Sequence, residues 1–97
     1  MAMVYILPKA EEDLVDIWLY IAEDSPQNAD NFLDKLHERM DRLADFPEIG
    51  VSRPELPGEV KSFPVDRYLL FYRPVESGIE LVRVLHASKD IYLHFLG

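Results

Sequence analysis

The chain has 97 residues, no cysteine and a formal net charge of −8. That length predicts one domain, residues 1–97, built as two layers around a single core. The missing cysteines exclude disulfides and thiolate metal sites, and no apolar run reaches the ~20 residues that a membrane helix needs.

Residues 4–7 read as a short apolar strand. Pro8 suits the first position of a helix, where its missing N–H costs nothing. Ala10, Leu14, Ile17, Trp18 and Ile21 then recur at helical spacing, and Glu11, Glu12, Asp13 and Asp16 crowd the end where the helix dipole favours negative charge. Asp24-Ser25-Pro26 breaks this helix and starts another, with Ser25 as N-cap and Pro26 at the first helical position. Ala29, Phe32, Leu33, Leu36, Met40 and Leu43 give the second apolar stripe, so the two helices form an antiparallel hairpin.

Residues 46–58 hold three prolines and two glycines and read as a loop. Residues 60–65 form a strand that Pro64 confines to an edge or an irregular position. Residues 67–73 alternate, with Tyr68, Leu70 and Tyr72 on one side and Arg67, Leu69, Phe71 and Arg73 on the other. A turn at residues 74–78 leads into residues 79–86, apolar on both faces and therefore a central strand. The tail from residue 89 fits either a short helix or a last strand. The predicted architecture is α+β: an N-terminal strand, an αα-hairpin, then an antiparallel three-stranded meander. The helices pack on one sheet face and leave the other partly open.

Charge divides along the chain. Residues 1–50 carry four basic and twelve acidic residues, whereas residues 51–97 carry six of each. A protein that binds nucleic acid through phosphates needs a basic face, and the helical half is the opposite. The amino terminus has no basic segment followed by an apolar one, so no signal peptide is expected and the cytoplasm is the expected location. Three histidines without ligand spacing give no metal site, no Gly-rich loop cradles a phosphate, and no serine stands in a Gly-x-Ser-x-Gly setting. No cofactor is expected.

Three segments, FPEIGVSRPEL, VKSFPVDRYLLFYR and GIELVRVLHASKDI, together with the amino-terminal AEEDLVDIWLYIAEDSPQNADNFLDKL, resemble the ParE-like branch of the ParE/RelE toxin superfamily. The resemblance covers nearly the whole chain. It implies a compact sheet with a helical hairpin, a toxin of a type II toxin–antitoxin pair, and a cognate antitoxin as partner. It further implies poisoning of DNA gyrase without catalysis. The related RelE-like enzymes cut mRNA on the ribosome, which is the alternative. That chemistry needs clustered cations and a proton carrier, for which Lys61, Arg67, Arg83, His86 and Lys89 are the candidates. RelE-like members carry several lysines in the strand matching residues 60–65, and here only Lys61 stands there, so the catalytic set is incomplete.

Arg67, Arg73, Arg83 and Lys89 are the candidates for target contact, projecting together from the open sheet face. The plainer reading of Arg67 and Arg73 is solvated strand ends or ion pairs with helical carboxylates. Arg83 interrupts the apolar row Ile79, Leu81, Leu85, so it needs either a solvent-facing place or a partner such as an early acidic residue. His86 is a proton carrier or a hydrogen-bonded turn histidine. Trp18, Tyr68 and Tyr72 are the candidates for antitoxin contact, with Trp18 a core residue unless exposed. The antitoxin is expected to lay an extended or helical segment across an apolar groove, in an interface above ~2,000 Å².

Overall fold

In the computed structural model, which describes residues 2–96, the chain runs β1 (Met3–Ile6), α1 (Pro8–Ala22), α2 (Pro26–Asp45), β2 (Val51–Ser52), β3 (Lys61–Val65), β4 (Tyr68–Val75), β5 (Gly78–His86) and α3 (Ile91–Leu96). Pro8 opens α1 as its chemistry dictates, and Ala10, Leu14 and Ile17 are the residues the helix buries. Ser25 is extended, as a residue before proline must be, and its Oγ accepts from the Asn28 N–H at 3.2 Å. α2 then buries Ala29, Leu36, Met40, Leu43 and Ala44 along one stripe.

The five strands lie in the order β1-β5-β4-β3-β2. The pairs from β2 to β5 are antiparallel, and β1 closes the sheet by pairing in parallel with β5. β5 is thus a central strand over its first half. Pro64 sits on β3 beyond the two residues that β2 covers, so its missing N–H breaks no ladder bond on that side. The predicted loop after α2 hides more structure than its prolines suggested. It makes one 3₁₀ turn at Pro47–Ile49 and then contributes β2 as a fifth strand.

The helices cover one sheet face over a core that joins Leu14, Ile17, Leu36, Met40 and Leu43 to Leu70, Tyr72, Ile79, Leu81 and Val84. The opposite face, expected to be partly open, carries a second apolar cluster. Leu69, Phe71 and Leu85 point that way and are covered by Leu56 and Val60 from the long connection and by Ile91 and Phe95 of α3. Phe71 is fully buried, edge-on to Phe95 at 5.1 Å between ring centroids, with the Arg53 guanidinium 5.7 Å from its centroid. The tail is a helix because Ile91 and Phe95 share one face and meet this apolar floor.

Two further corrections follow from the register. Phe71 stands opposite Arg83 and Tyr72 opposite Leu81, so Val82 is an extra residue in β5. The bulge reverses the alternation after Leu81. Val84 joins Ile79 and Leu81 in the helix-side core, whereas Leu85 joins the second cluster. Arg83 is thereby turned out of the apolar row that plain alternation assigned to it. Arg67, expected to begin a strand and share a face with Arg73, lies in the turn between β3 and β4.

Candidate functional site

β1 covers β5 only from Gly78 to Leu81, with Leu7 adding one more bond to the Leu81 carbonyl. Past that point, among the described residues, no strand neighbours the edge of β5. Asp13 of α1 fills the first position there. Its carboxylate accepts from the Val84 N–H at 2.9 Å and from Arg83 Nε and Nη2 at 2.8 and 2.9 Å. Arg83 Nη1 also donates to the His94 carbonyl at 3.3 Å, so this side chain ties α1 to α3 around the edge of the sheet. The pair is largely buried, with 14% and 12% of the two side chains exposed. The Asp13 hydrogen bonds hold the Arg83 guanidinium above its ordinary value, burial working in the other direction.

The rest of the open edge borders a cleft of about 680 Å³ between α1, the turn before β4 and the segment leading into α3. Its apolar lining is Ile17, Ile21 and Val84. Asp13 and Asp16 stand on the α1 side, and Arg67 and Lys89 at the other end. Among the described residues, neither Arg67 nor Lys89 has a carboxylate partner. Tyr68 is half-buried in the wall, packed on Phe32 and edge-on to His86. Burial raises its phenol above the ordinary range, and nearby Tyr20 adds to the effect. His86 is held as a turn histidine. The Ser88 N–H donates to Nδ1 at 3.1 Å and the Ser88 hydroxyl lies 2.7 Å from the same atom. An N–H can only donate, so Nδ1 is the acceptor and the neutral ring carries its proton on Nε2.

The candidate cations therefore divide. Arg67, Arg83, His86 and Lys89 share the cleft, but Arg83 is bound to Asp13. Lys61 and Arg73 lie at the other end of the strands, with Arg53, around a second depression of about 460 Å³. Arg73 is paired there with Glu80 at 2.9 Å, and Lys61 donates to Ser52 Oγ. The four arginine and lysine candidates for target contact form no common outward patch, because the bulge, the turn and two ion pairs separate them.

Trp18 is half-buried and away from the cleft, its Nε1–H donating to Asp30 at 2.8 Å to join the two helices. Tyr72 cannot meet a partner directly: it is 0% exposed. Its hydroxyl donates to the Pro47 carbonyl at 2.6 Å and accepts from the Gly50 N–H at 2.8 Å, which anchors the turn after α2. Gly50 has no Cβ because the Tyr72 ring occupies that place. Sequence reasoning missed Asp13, Tyr20 and His94 as cleft residues. Asp13 lay inside an acidic run that reads as dipole compensation, and its partner is 70 residues later.

The family model described as "ParE toxin of type II toxin-antitoxin system, parDE" matches residues 4–91. The chain is 32% identical over 94 residues to a protein named "Toxin ParE1" from two strains of Mycobacterium tuberculosis, covering 94% of this chain and 96% of the relative. A solved structure described as "Chromosomal ParDE TA system from P. aeruginosa" superposes with a TM-score of 0.72 at 23% identity, over 89% of this chain and 96% of that one.

Proposed function

This chain belongs to the ParE toxins of type II toxin–antitoxin systems, parDE, and from that premise we propose that it arrests growth by docking on DNA gyrase in the cytoplasm. In this reading it acts without catalysis and is silenced when a cognate antitoxin binds it. The observation that carries the non-catalytic reading is the state of the cleft's titratable groups. Arg83 is consumed by Asp13, His86 Nδ1 is consumed by Ser88, and Lys61 is remote. Among the described residues, the cleft cations without a carboxylate partner are Arg67 and Lys89, beside an apolar lining. Such a surface suits recognition of an acidic, partly apolar protein segment better than cleavage of a phosphodiester.

The test is a supercoiling assay with purified gyrase and folded toxin. Inhibition that rises with toxin concentration, and that added antitoxin reverses, is the expected result. Complete supercoiling at excess folded toxin refutes the gyrase reading.

One observation favours a second reading. Arg67, Arg83, His86 and Lys89, four of the five candidate nuclease residues, do line one cleft. Primer extension on mRNA from expressing cells separates the two: discrete cuts at codon boundaries support ribosome-dependent cleavage, and intact mRNA alongside arrested growth excludes it.

A further inference from the structure

We infer that β1 is the seam of a homodimer, in which its outer edge pairs antiparallel with β1 of a second copy and the two five-stranded sheets run on as one. The inference goes beyond the growth-arrest reading above and stands without it.

Three observations carry it. The first is an unpaired backbone edge. β1 is the last strand of the sheet on its side. The Met3 N–H donates to the Ser77 carbonyl at 2.8 Å and the Leu7 N–H to the Leu81 carbonyl at 3.0 Å, so the odd-numbered residues turn their backbone groups to β5. Those groups alternate in direction along a strand, and the N–H and C=O of Val4 and Ile6 therefore point outward. Among the described residues they have no hydrogen-bond partner. No residue of β1 is fully buried: Met3 and Tyr5 are 49% and 42% exposed, and Val4 and Ile6 are half-buried.

The second observation is self-complementarity. Two outward-facing residues, two apart, match their own copy about a twofold axis. Val4 meets Ile6 of the second copy, Ile6 meets its Val4, and each pair exchanges both backbone bonds. Every unpaired group on the edge is then used. On the helix side, Val4 and Ile6 prolong the apolar layer they already join. On the other face, Tyr5 stands opposite Tyr5 of the second copy, an aromatic cross-strand pair.

The third observation is that this edge lacks protection. Exposed edges are blunted by shortness, proline or charge. At the other side of the sheet, β2 has two residues, and Pro64 stands where β2 leaves β3 uncovered. Residues 2–7 hold neither a proline nor a charged residue, in a chain whose net charge is −8. A second copy is therefore the occupant: it matches this edge in parity and length, and an uncharged strand is where two acidic copies meet at least Coulombic cost. So short a seam buries little area, which places the dimer in the weak, concentration-dependent class.

The experiment is sedimentation of the full chain, without antitoxin, from roughly 1 μM to 1 mM. The mass is expected to rise from 11.3 kDa toward twice that value. Added salt is expected to strengthen association, because it screens the repulsion between two copies of charge −8. Hydrogen exchange at the Val4 and Ile6 amides is expected to slow about tenfold as the dimer fills, with the Tyr5 amide, which faces β5, unchanged. Tyr5→Lys and Tyr5→Glu each set like charges across the axis and are expected to weaken association about tenfold. An equimolar mixture of the two variants is expected to associate at least as tightly as the native chain, since opposite charges then face each other. A single-chain mass at every concentration overturns the inference, whether or not an antitoxin protects the same amides. So does a dimer with unprotected Val4 and Ile6, or one that both Tyr5 variants leave unchanged. Should a Tyr5 variant fail to fold, amide exchange in the native chain decides alone.

Discussion

Replacing Asp13 with alanine removes three hydrogen bonds at once: two from Arg83 and one from the Val84 N–H. The guanidinium is left with the His94 carbonyl alone, at 3.3 Å, and the Val84 amide loses its partner at the edge of the sheet. Breaking one side of a buried ion pair costs ~3–5 kcal/mol. With 12% and 14% of the side chains still reaching water, the lower end applies, about 3 kcal/mol. For a domain whose whole stability is ~5–15 kcal/mol, that shifts the thermal midpoint down by roughly 12 °C or more. Urea unfolding followed by Trp18 fluorescence and circular dichroism measures it. The control is a double-mutant cycle with Arg83→Met, which removes the charge while Asp13 keeps the Val84 N–H. Combining Asp13→Ala with Arg83→Met is expected to recover at least ~1 kcal/mol over Asp13→Ala alone, because no orphaned cation then remains. A cost below ~1 kcal/mol for Asp13→Ala, or strictly additive single changes, refutes the claim that this pair holds the edge of the sheet.

Tyr72→Phe is expected to cost about 2 kcal/mol in urea unfolding, since the Gly50 N–H and the Pro47 carbonyl lose their shared partner. Burial raises the Tyr72 phenol above its ordinary 10.0, with the Gly50 hydrogen bond opposing and Glu48 adding to the rise. A raised acid favours the folded state below its unfolded value and loses that advantage as pH climbs through the folded one. Stability should therefore fall above pH 10.0, and Tyr72→Phe should flatten that part of the alkaline decline. Ser25→Ala removes the cap on α2 and is expected to lower stability by about 1 kcal/mol, read by the same unfolding curves. Growth assays separate the two groups of cations. Arg67→Glu is expected to relieve arrest, while Arg73→Ala, which breaks the partly exposed pair with Glu80 and the hydrogen bond to the Gly58 carbonyl, leaves arrest intact at a cost of about 1 kcal/mol.

The local grammar of the chain was legible where a residue's own chemistry decides its backbone. Pro8, Ser25 and Pro26 set both helix starts, and the apolar stripes of α1 and α2 bury the residues that their spacing selects. What the sequence concealed were events that need a partner far along the chain. Alternation along residues 79–86 reads Arg83 as a core-facing charge, and only the pairing with β4 reveals the extra residue at Val82 that turns it aside. β2 has two residues, too few for any periodicity, and exists because β3 offers it an edge. The covered second face was hidden for the same reason. Nothing local in Leu56, Val60, Ile91 or Phe95 says that all four converge on Phe71. Asp13 sat in plain view among acidic neighbours, and its role follows from β1 ending at Ile6.

The parallel pairing of β1 with β5 joins Met3 to Gly78 and Ile6 to Leu81. β1 thus has no strand to pair with until β5 has been made. Closing so long a span of chain is entropically slow and comes late. The walls of the cleft obey the same schedule, since Asp13 and Tyr20 emerge early and Lys89 and His94 almost at the end. A nascent or truncated chain lacking β5 carries neither a finished sheet nor a finished cleft, so whatever the cleft recognises has to wait for that strand.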